Sequence, residues 1–269
     1  MKICLSVGYP IKTSRSPSIH NAGYKKLGID DEFIYLRAEV KPKDLKMAID
    51  GVRGLGIRGV SVTMPHKQEV MKYLDKIDNE AKRIGAVNTI VNTNGKLTGF
   101  NTDFIGAIVA LEKKTILKGK KIAVIGAGGA ARAIVYGLKK KGSTIKIFNR
   151  TLDRAKKLAK EFGCEYGDLD SLEQVANMDI IINATSIGMN EDKSPIDKKI
   201  LNKNQIILDA VYSPKETKLI KDAKEKGAQV VYGYEMLLYQ GVEQFKLYTG
   251  FDAPVEAMRE VLVKNLKWK

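Results

Sequence analysis

The stretch KIAVIGAGGAARA, residues 121–133, reads as a buried strand that runs directly into a glycine-rich turn and then a helix. Its turn, Gly126 to Ala131, fits G-x-G-x-x-A in the strand–turn–helix context that gives the pattern its meaning. Gly126 permits the tight turn, Gly128 lets backbone approach a pyrophosphate, and Ala131 keeps helix and sheet close. The helix start adds the positive end of its dipole. Gly126, Ala127, Gly128, Gly129 and Ala130 are therefore candidate dinucleotide-binding residues, against the alternative of a glycine-rich turn with no ligand.

Working outward, Thr144–Phe148 is the second strand of this pattern. An NAD site usually carries an acid there for the ribose 2′-hydroxyl. Here the strand continues Asn149-Arg150-Thr151, with Arg154 one turn later. Two guanidiniums and a hydroxyl suit a 2′-phosphate, because arginine binds phosphate through several charge-assisted bonds. The cofactor expected is NADP, although Arg154 alone is equally readable as a solvated helix residue. Further strands are expected over 180–184, 205–209 and 229–232, with helices over 129–141, from 153 and between the last two strands. Strands alternating with helices imply parallel βαβ units. Thr185 and Ser186 follow a strand end and so lie where such sheets hold ligands.

The first hundred residues also alternate. Strands are expected over 2–7, 33–38 and 59–63, helices over 18–27, 43–55 and 67–81, and a hairpin around Asn94-Gly95. A helix over 102–114 follows, and residues from 235 onward read as closing helices. The fold class is α/β with two domains: a substrate-binding domain over 1–103, completed by 237–269, and a Rossmann-type domain over 104–236.

Composition narrows the function classes. With 269 residues, 44% hydrophobic content and 24 glycines, the chain can build a sizeable core. No apolar run approaches the roughly 18 residues of a membrane span, and the opening MKICLSVGYP is too short in apolar character for a secretion signal. Cys4 and Cys164 make neither a disulfide framework nor a metal-spaced cluster, so no metal is expected. These features fit a reduced, cytoplasmic, soluble protein. The net charge of +15 invites a nucleic-acid reading. Its lysines are instead spread over polar helix faces such as 153–162 and 215–226, without a zinc finger, RNA-binding motif or basic arm. The charge favours anionic small molecules.

Three segments of the first half carry candidate chemistry. Ser14 and Ser16 can bond one anionic or polyhydroxylated ligand if their segment is extended, or one of them can cap the next helix. In SVTMPHK, residues 61–67, a strand ends on a proline and then a histidine and a lysine. Lys67, the amide of Asn88 and the carboxylate of Asp103 could converge on one cleft, or lie apart at solvated strand ends. A lysine beside an aspartate can hold a proton and exchange it with a substrate hydroxyl. His66 and His20 have no partner that spacing identifies.

Nine segments in order, GYP…SRSPSIHN (8–21), GVSVTMPHK (59–67), GAVNT (85–89), GFNTD (99–103), GAGGAARA (126–133), NRT (149–151), NATSIGM (183–189), DAVYSP (209–214) and GYEMLLYQG (233–241), together resemble shikimate dehydrogenases over nearly the whole chain. The resemblance implies reversible NADP-dependent reduction of 3-dehydroshikimate to shikimate, on the route to aromatic amino acids, by a monomer or homodimer. It implies Lys67 as catalytic acid and base with Asp103 as its partner. Ser14 and Ser16 would hold the substrate carboxylate, and Thr63, Asn88, Tyr212 and Gln240 would bond ring hydroxyls or carboxylate. Ala210, Gly233 and Met236 would lie near the nicotinamide. Ser61 stands where many members carry Asn, so it joins the substrate candidates and opens quinate, the saturated relative, as an alternative substrate. Ser16 and Arg150 lean toward shikimate and NADP.

Overall fold

Strand and helix signals resolve into alternating elements whose apolar sides meet. The computed structural model describes residues 1–266, so the last three residues of the expected 237–269 segment lie outside the described ones. The chain divides into two compact units, Met1–Asp103 with Gln240–Asn265, and Phe104–Tyr239 with Leu266.

The first unit contains β1 (Lys2–Gly8), α1 (Ser16–Leu27), β2 (Phe33–Glu39), α2 (Leu45–Gly54), β3 (Gly59–Val62), β4 (Lys76–Ile77), α3 (Asn79–Ile84), β5 (Thr89–Thr93) and β6 (Lys96–Phe100). The strands form one mixed sheet in the order β2-β1-β3-β5-β6-β4. β1 runs parallel to β2 and β3, while β5 is antiparallel to both β3 and β6. Asn94 and Gly95 close the β5–β6 hairpin with φ of 53° and 84°, the two positive angles that a tight turn matched to strand twist requires. Val60, Val62, Ile90 and Leu97 pack against Leu45, Ile49 and Val52 of α2.

The second unit contains β7 (Lys121–Ile125), α5 (Gly129–Lys140), β8 (Thr144–Phe148), α6 (Leu152–Phe162), β9 (Glu165–Gly167), β10 (Ile180–Asn183), β11 (Ile206–Asp209), α7 (Lys218–Glu225) and β12 (Gln229–Tyr232). Its sheet is parallel throughout, in the order β12-β11-β10-β7-β8-β9. Successive strand residues serve opposite faces: Ile122 and Val124 enter one core cluster, Ala123 and Ile125 the other. Both faces are thus covered, which is why these strands are continuously apolar rather than alternating. The strand order reverses between β7 and β10, the switch point where sheets of this kind open a ligand crevice beyond the strand ends.

Several local expectations are corrected. Residues 67–81 do not form one helix, although Val70, Leu74, Ile77 and Ala81 recur at helical spacing. The segment is a turn, a short 3₁₀ stretch (Glu69–Tyr73), β4 and α3. Asp75 accepts from the backbone N–H of Leu97 at 2.7 Å, and Asp78 caps α3 by accepting from Glu80 N–H at 2.9 Å. These aspartates serve a sheet edge and a helix start, where short acidic side chains compete with continuous helix. α1 begins at Ser16 rather than 18, with a proline in its first turn, where the missing N–H costs nothing. α7 is shorter than 215–226, and Lys215 is buried before it. The edge strand β9 carries no expectation from sequence: three residues, mostly exposed, leave no periodicity to read. α8 (Gly233–Thr249) and α9 (Val255–Asn265) close the chain.

Candidate active site

In the first unit, β3 ends at Val62 and the chain turns through Thr63 to Lys67. The Lys67 main-chain carbonyl accepts from Val87 N–H at 2.8 Å, which fixes the turn against the segment entering β5. Lys67 Nζ then donates to Asp103 Oδ2 at 2.5 Å, with side chains 18% and 8% exposed. Asp103 opens α4 (Asp103–Glu112). Its other oxygen, Oδ1, accepts from Asn88 Nδ2 at 2.9 Å. The lysine, amide and carboxylate picked from sequence therefore meet. The same Nδ2 faces Gln240 Oε1 at 3.4 Å. Thr63 is half-buried, with its methyl against Gly8.

His66 has a partner that sequence did not identify: its Nε2 contacts the Val40 carbonyl at 2.7 Å in a buried position. His20 is fully buried, stacked 4.4 Å from the Tyr35 ring. Burial lowers its pKa to about 3. Neither histidine bonds to Lys67 or Asp103.

Ser14 and Ser16 do not share an extended segment. Ser16 is the first residue of α1 and buried, and the residue capping that helix is Arg15, without a side-chain bond. The capping alternative for either serine thus falls away. Ser14 Oγ instead donates to Ser6 Oγ at 3.2 Å. Ser61 is buried, bonded to the Tyr35 hydroxyl and, at 2.9 Å, to Gln244 Oε1. Ser6, Tyr35, Thr89, Thr102 and Gln244 were not singled out by sequence reasoning. The available signal was a hydroxyl inside an otherwise apolar strand stretch, as at Ser6 in β1.

In the second unit, Gly126 has φ of 117°, and a Cβ there would stand 2.9 Å from the Ala184 carbonyl oxygen. The glycine turn therefore lies against the segment leaving β10, on both sides of the switch point. Gly128 caps α5 and is exposed. Ala127, Gly129 and Ala130 lie partly exposed beside it. Thr185 donates its hydroxyl to Asn183 Oδ1 at 2.7 Å, and Ser186 is exposed. After β8, Asn149 Nδ2 bonds the Thr151 carbonyl at 2.8 Å, and Arg150, Thr151 and Arg154 are exposed. Ala210 packs beside the core at the end of β11, Met236 is within that core, and Gly233 starts α8. Tyr212 is half-buried and belongs to this unit.

One unit thus carries a half-buried lysine on a buried aspartate in a polar cluster, and the other a parallel sheet with a glycine turn at its switch point, the features of a dinucleotide-dependent oxidoreductase. Family models match residues 6–90 (shikimate dehydrogenase substrate binding domain), 109–193 (shikimate / quinate 5-dehydrogenase) and 233–263 (shikimate 5′-dehydrogenase C-terminal domain). The shikimate dehydrogenase (NADP(+)) of Pyrococcus furiosus is 48% identical over 99% of this chain and 97% of its own. A crystal structure of a shikimate dehydrogenase in complex with NADP+ superposes with a TM-score of 0.94 at 41% identity, covering 100% of this chain and 96% of that one. The Thermus thermophilus enzyme in complex with NADP(H) and shikimate gives 0.92 at 35% identity, over 98% and 99%. The chain belongs to the shikimate dehydrogenase family.

Proposed function

We propose that this protein interconverts 3-dehydroshikimate and shikimate with NADP, with the first unit binding substrate and the second the dinucleotide. The observation that carries the reading is the 2.5 Å contact between Lys67 Nζ and Asp103 Oδ2. In the reducing direction Lys67 donates a proton to the oxygen that develops negative charge at C3. In the oxidising direction it accepts that proton. Asp103 holds the ammonium in place, and the Asn88 amide holds Asp103 from its other side. Ser14, Ser16, Ser61, Thr63, Asn88, Tyr212 and Gln240 are the candidate substrate contacts.

The second unit's residues fit NADP. The N-terminus of α5 offers backbone N–H donors and a positive dipole end to a pyrophosphate, and the exposed Arg150 and Arg154 suit a 2′-phosphate. Bound NADP supplies or takes the hydride. Thr185 and Ser186 are candidate cofactor contacts in the crevice, and Ala210, Gly233 and Met236 are the candidates for the nicotinamide side. The proposal includes a monomer or homodimer in the cytoplasm, and the unpaired Cys4 and Cys164 fit that reducing compartment.

The test follows nicotinamide absorbance with shikimate or quinate, each paired with NADP or NAD. The shikimate–NADP pair is expected to lead. A lead by quinate would reassign the ring contacts at Ser61, and a lead by NAD would reassign Arg150. Absence of turnover with every pair would overturn the reading.

A further inference from the structure

The sheet register lines up three hydroxyl residues in the first unit. Ser6 on β1 pairs with Ser61 on β3, and Ser61 pairs with Thr89 on β5. Two side chains from elsewhere link them. Tyr35 of β2 joins Ser6, at 3.5 Å, to Ser61. Gln244 of α8 joins Ser61 Oγ to Thr89 Oγ1, 2.9 Å on each side. Thr89 Oγ1 continues to Asn88 Oδ1 at 2.7 Å, and Asn88 Nδ2 to Asp103 Oδ1 at 2.9 Å. All six residues from Ser6 through Tyr35, Ser61, Gln244 and Thr89 to Asn88 are buried.

Chemistry gives this chain a single direction. An ionised Asp103 only accepts, so Asn88 presents its Nδ2 to it and its Oδ1 to Thr89. The Thr102 backbone N–H, 2.7 Å from Oδ1, requires the same orientation. Thr89 has one proton and spends it on Asn88, so it accepts from Gln244 Nε2. The Gln244 carbonyl then faces Ser61, whose proton goes to it. Ser61 therefore accepts from Tyr35, whose phenol burial holds protonated by pushing its pKa up. Tyr35 accepts from Ser6, and Ser6 accepts from Ser14 at 3.2 Å.

We propose that Thr89 and Gln244 are positioning residues for the proton-transfer pair: together with the Thr102 N–H they hold the Asn88 amide in place, and through it the oxygen of Asp103 left to Lys67. The chain ties Ser14, a candidate carboxylate contact, to Asp103 by hydrogen bonds that all run one way. This inference rests on the reading of Lys67 and Asp103 given above.

The test compares Thr89→Val, which keeps shape but loses the hydroxyl, with Thr89→Ser, which keeps the hydroxyl. Gln244→Met breaks the next link at similar volume. Thr89→Val should lower kcat about tenfold, the rate equivalent of one misplaced hydrogen bond, with KM for NADP unchanged. Thr89→Ser should recover most of the rate. The double variant Thr89→Val/Gln244→Met should be no slower than the slower single one, because both cut the same chain. A wild-type kcat in Thr89→Val, a Thr89→Ser as slow as Thr89→Val, or multiplicative losses in the double variant would each overturn the relay. Lys67→Ala separates the two levels. If it is inactive while Thr89→Val is normal, only the relay fails. If Lys67→Ala turns over normally, the pair is not the proton carrier and both readings fail.

Discussion

The two units keep their candidate chemistry in opposite places. In the first, Ser61, Asn88, Asp103 and Gln240 are buried side chains, each satisfied by neighbours inside the fold. In the second, the candidate groups are backbone at a helix start and exposed side chains after a strand, at Gly128, Arg150 and Arg154. The difference matches what the proposed role of each requires. Proton transfer needs side chains held at fixed geometry away from bulk water. Anion binding is met by backbone dipoles and mobile guanidiniums at a surface. A substitution in the first unit should therefore disturb catalysis and stability together, and one in the second should disturb binding alone.

The largest expected effect lies at the Lys67–Asp103 pair. Lys67→Ala should lower turnover by about 10²–10⁴, the range for a general acid–base group. It should also lower the melting temperature, because Asp103 Oδ2 loses its cation in a site only 8% exposed. Binding of NADP, followed by quenching of protein fluorescence or by thermal protection, should be unchanged. A variant that loses NADP binding as well would break the contrast between the units.

Arg150→Ala probes the exposed side of the comparison. NADP affinity should weaken by roughly 1–3 kcal/mol, the worth of a lost charge-assisted hydrogen bond. NAD affinity and the melting temperature should hold, since exposed substitutions of this kind stay within about 0.5 kcal/mol. Equal weakening of NAD and NADP, measured by titration calorimetry, would assign Arg150 away from the 2′-phosphate.

The same contrast explains what could be read from the residues alone. The second unit was legible almost element by element, because parallel strands covered on both faces are continuous apolar runs and the glycine turn is local in sequence. Lys67, Asn88 and Asp103 were legible as chemistry, but their meeting depends on the β3–β5–β6 register, which no local pattern encodes. Ser6, Tyr35 and Gln244 were not legible. Each lies in an element whose other residues are mostly apolar, and their partners are 29, 26 and 183 residues away. The helix expected over 67–81 failed for a related reason: apolar spacing was read where two aspartates and a sheet edge decide the conformation.

The last effect expected sits in the interior of the first unit and is visible only with pH. His20 packs among Tyr24, Tyr35, Phe245 and Tyr248 with no exposed surface, and burial lowers its pKa from 6.5 to about 3. Between those values the unfolded chain binds a proton that the folded chain refuses. Stability from this group is therefore fully present above about pH 6.5 and is lost as the pH falls toward 3, with a slope of up to about 1.4 kcal/mol per pH unit. His20→Phe keeps an aromatic ring in the stack and removes the titration. Urea unfolding at pH 4.5, 5.5 and 6.5 should show a shallower dependence in His20→Phe than in the parent protein. An identical slope in both would mean that the ring cluster opens to water in acid before the histidine titrates, and the interior of the first unit would then be less closed than its polar chain requires.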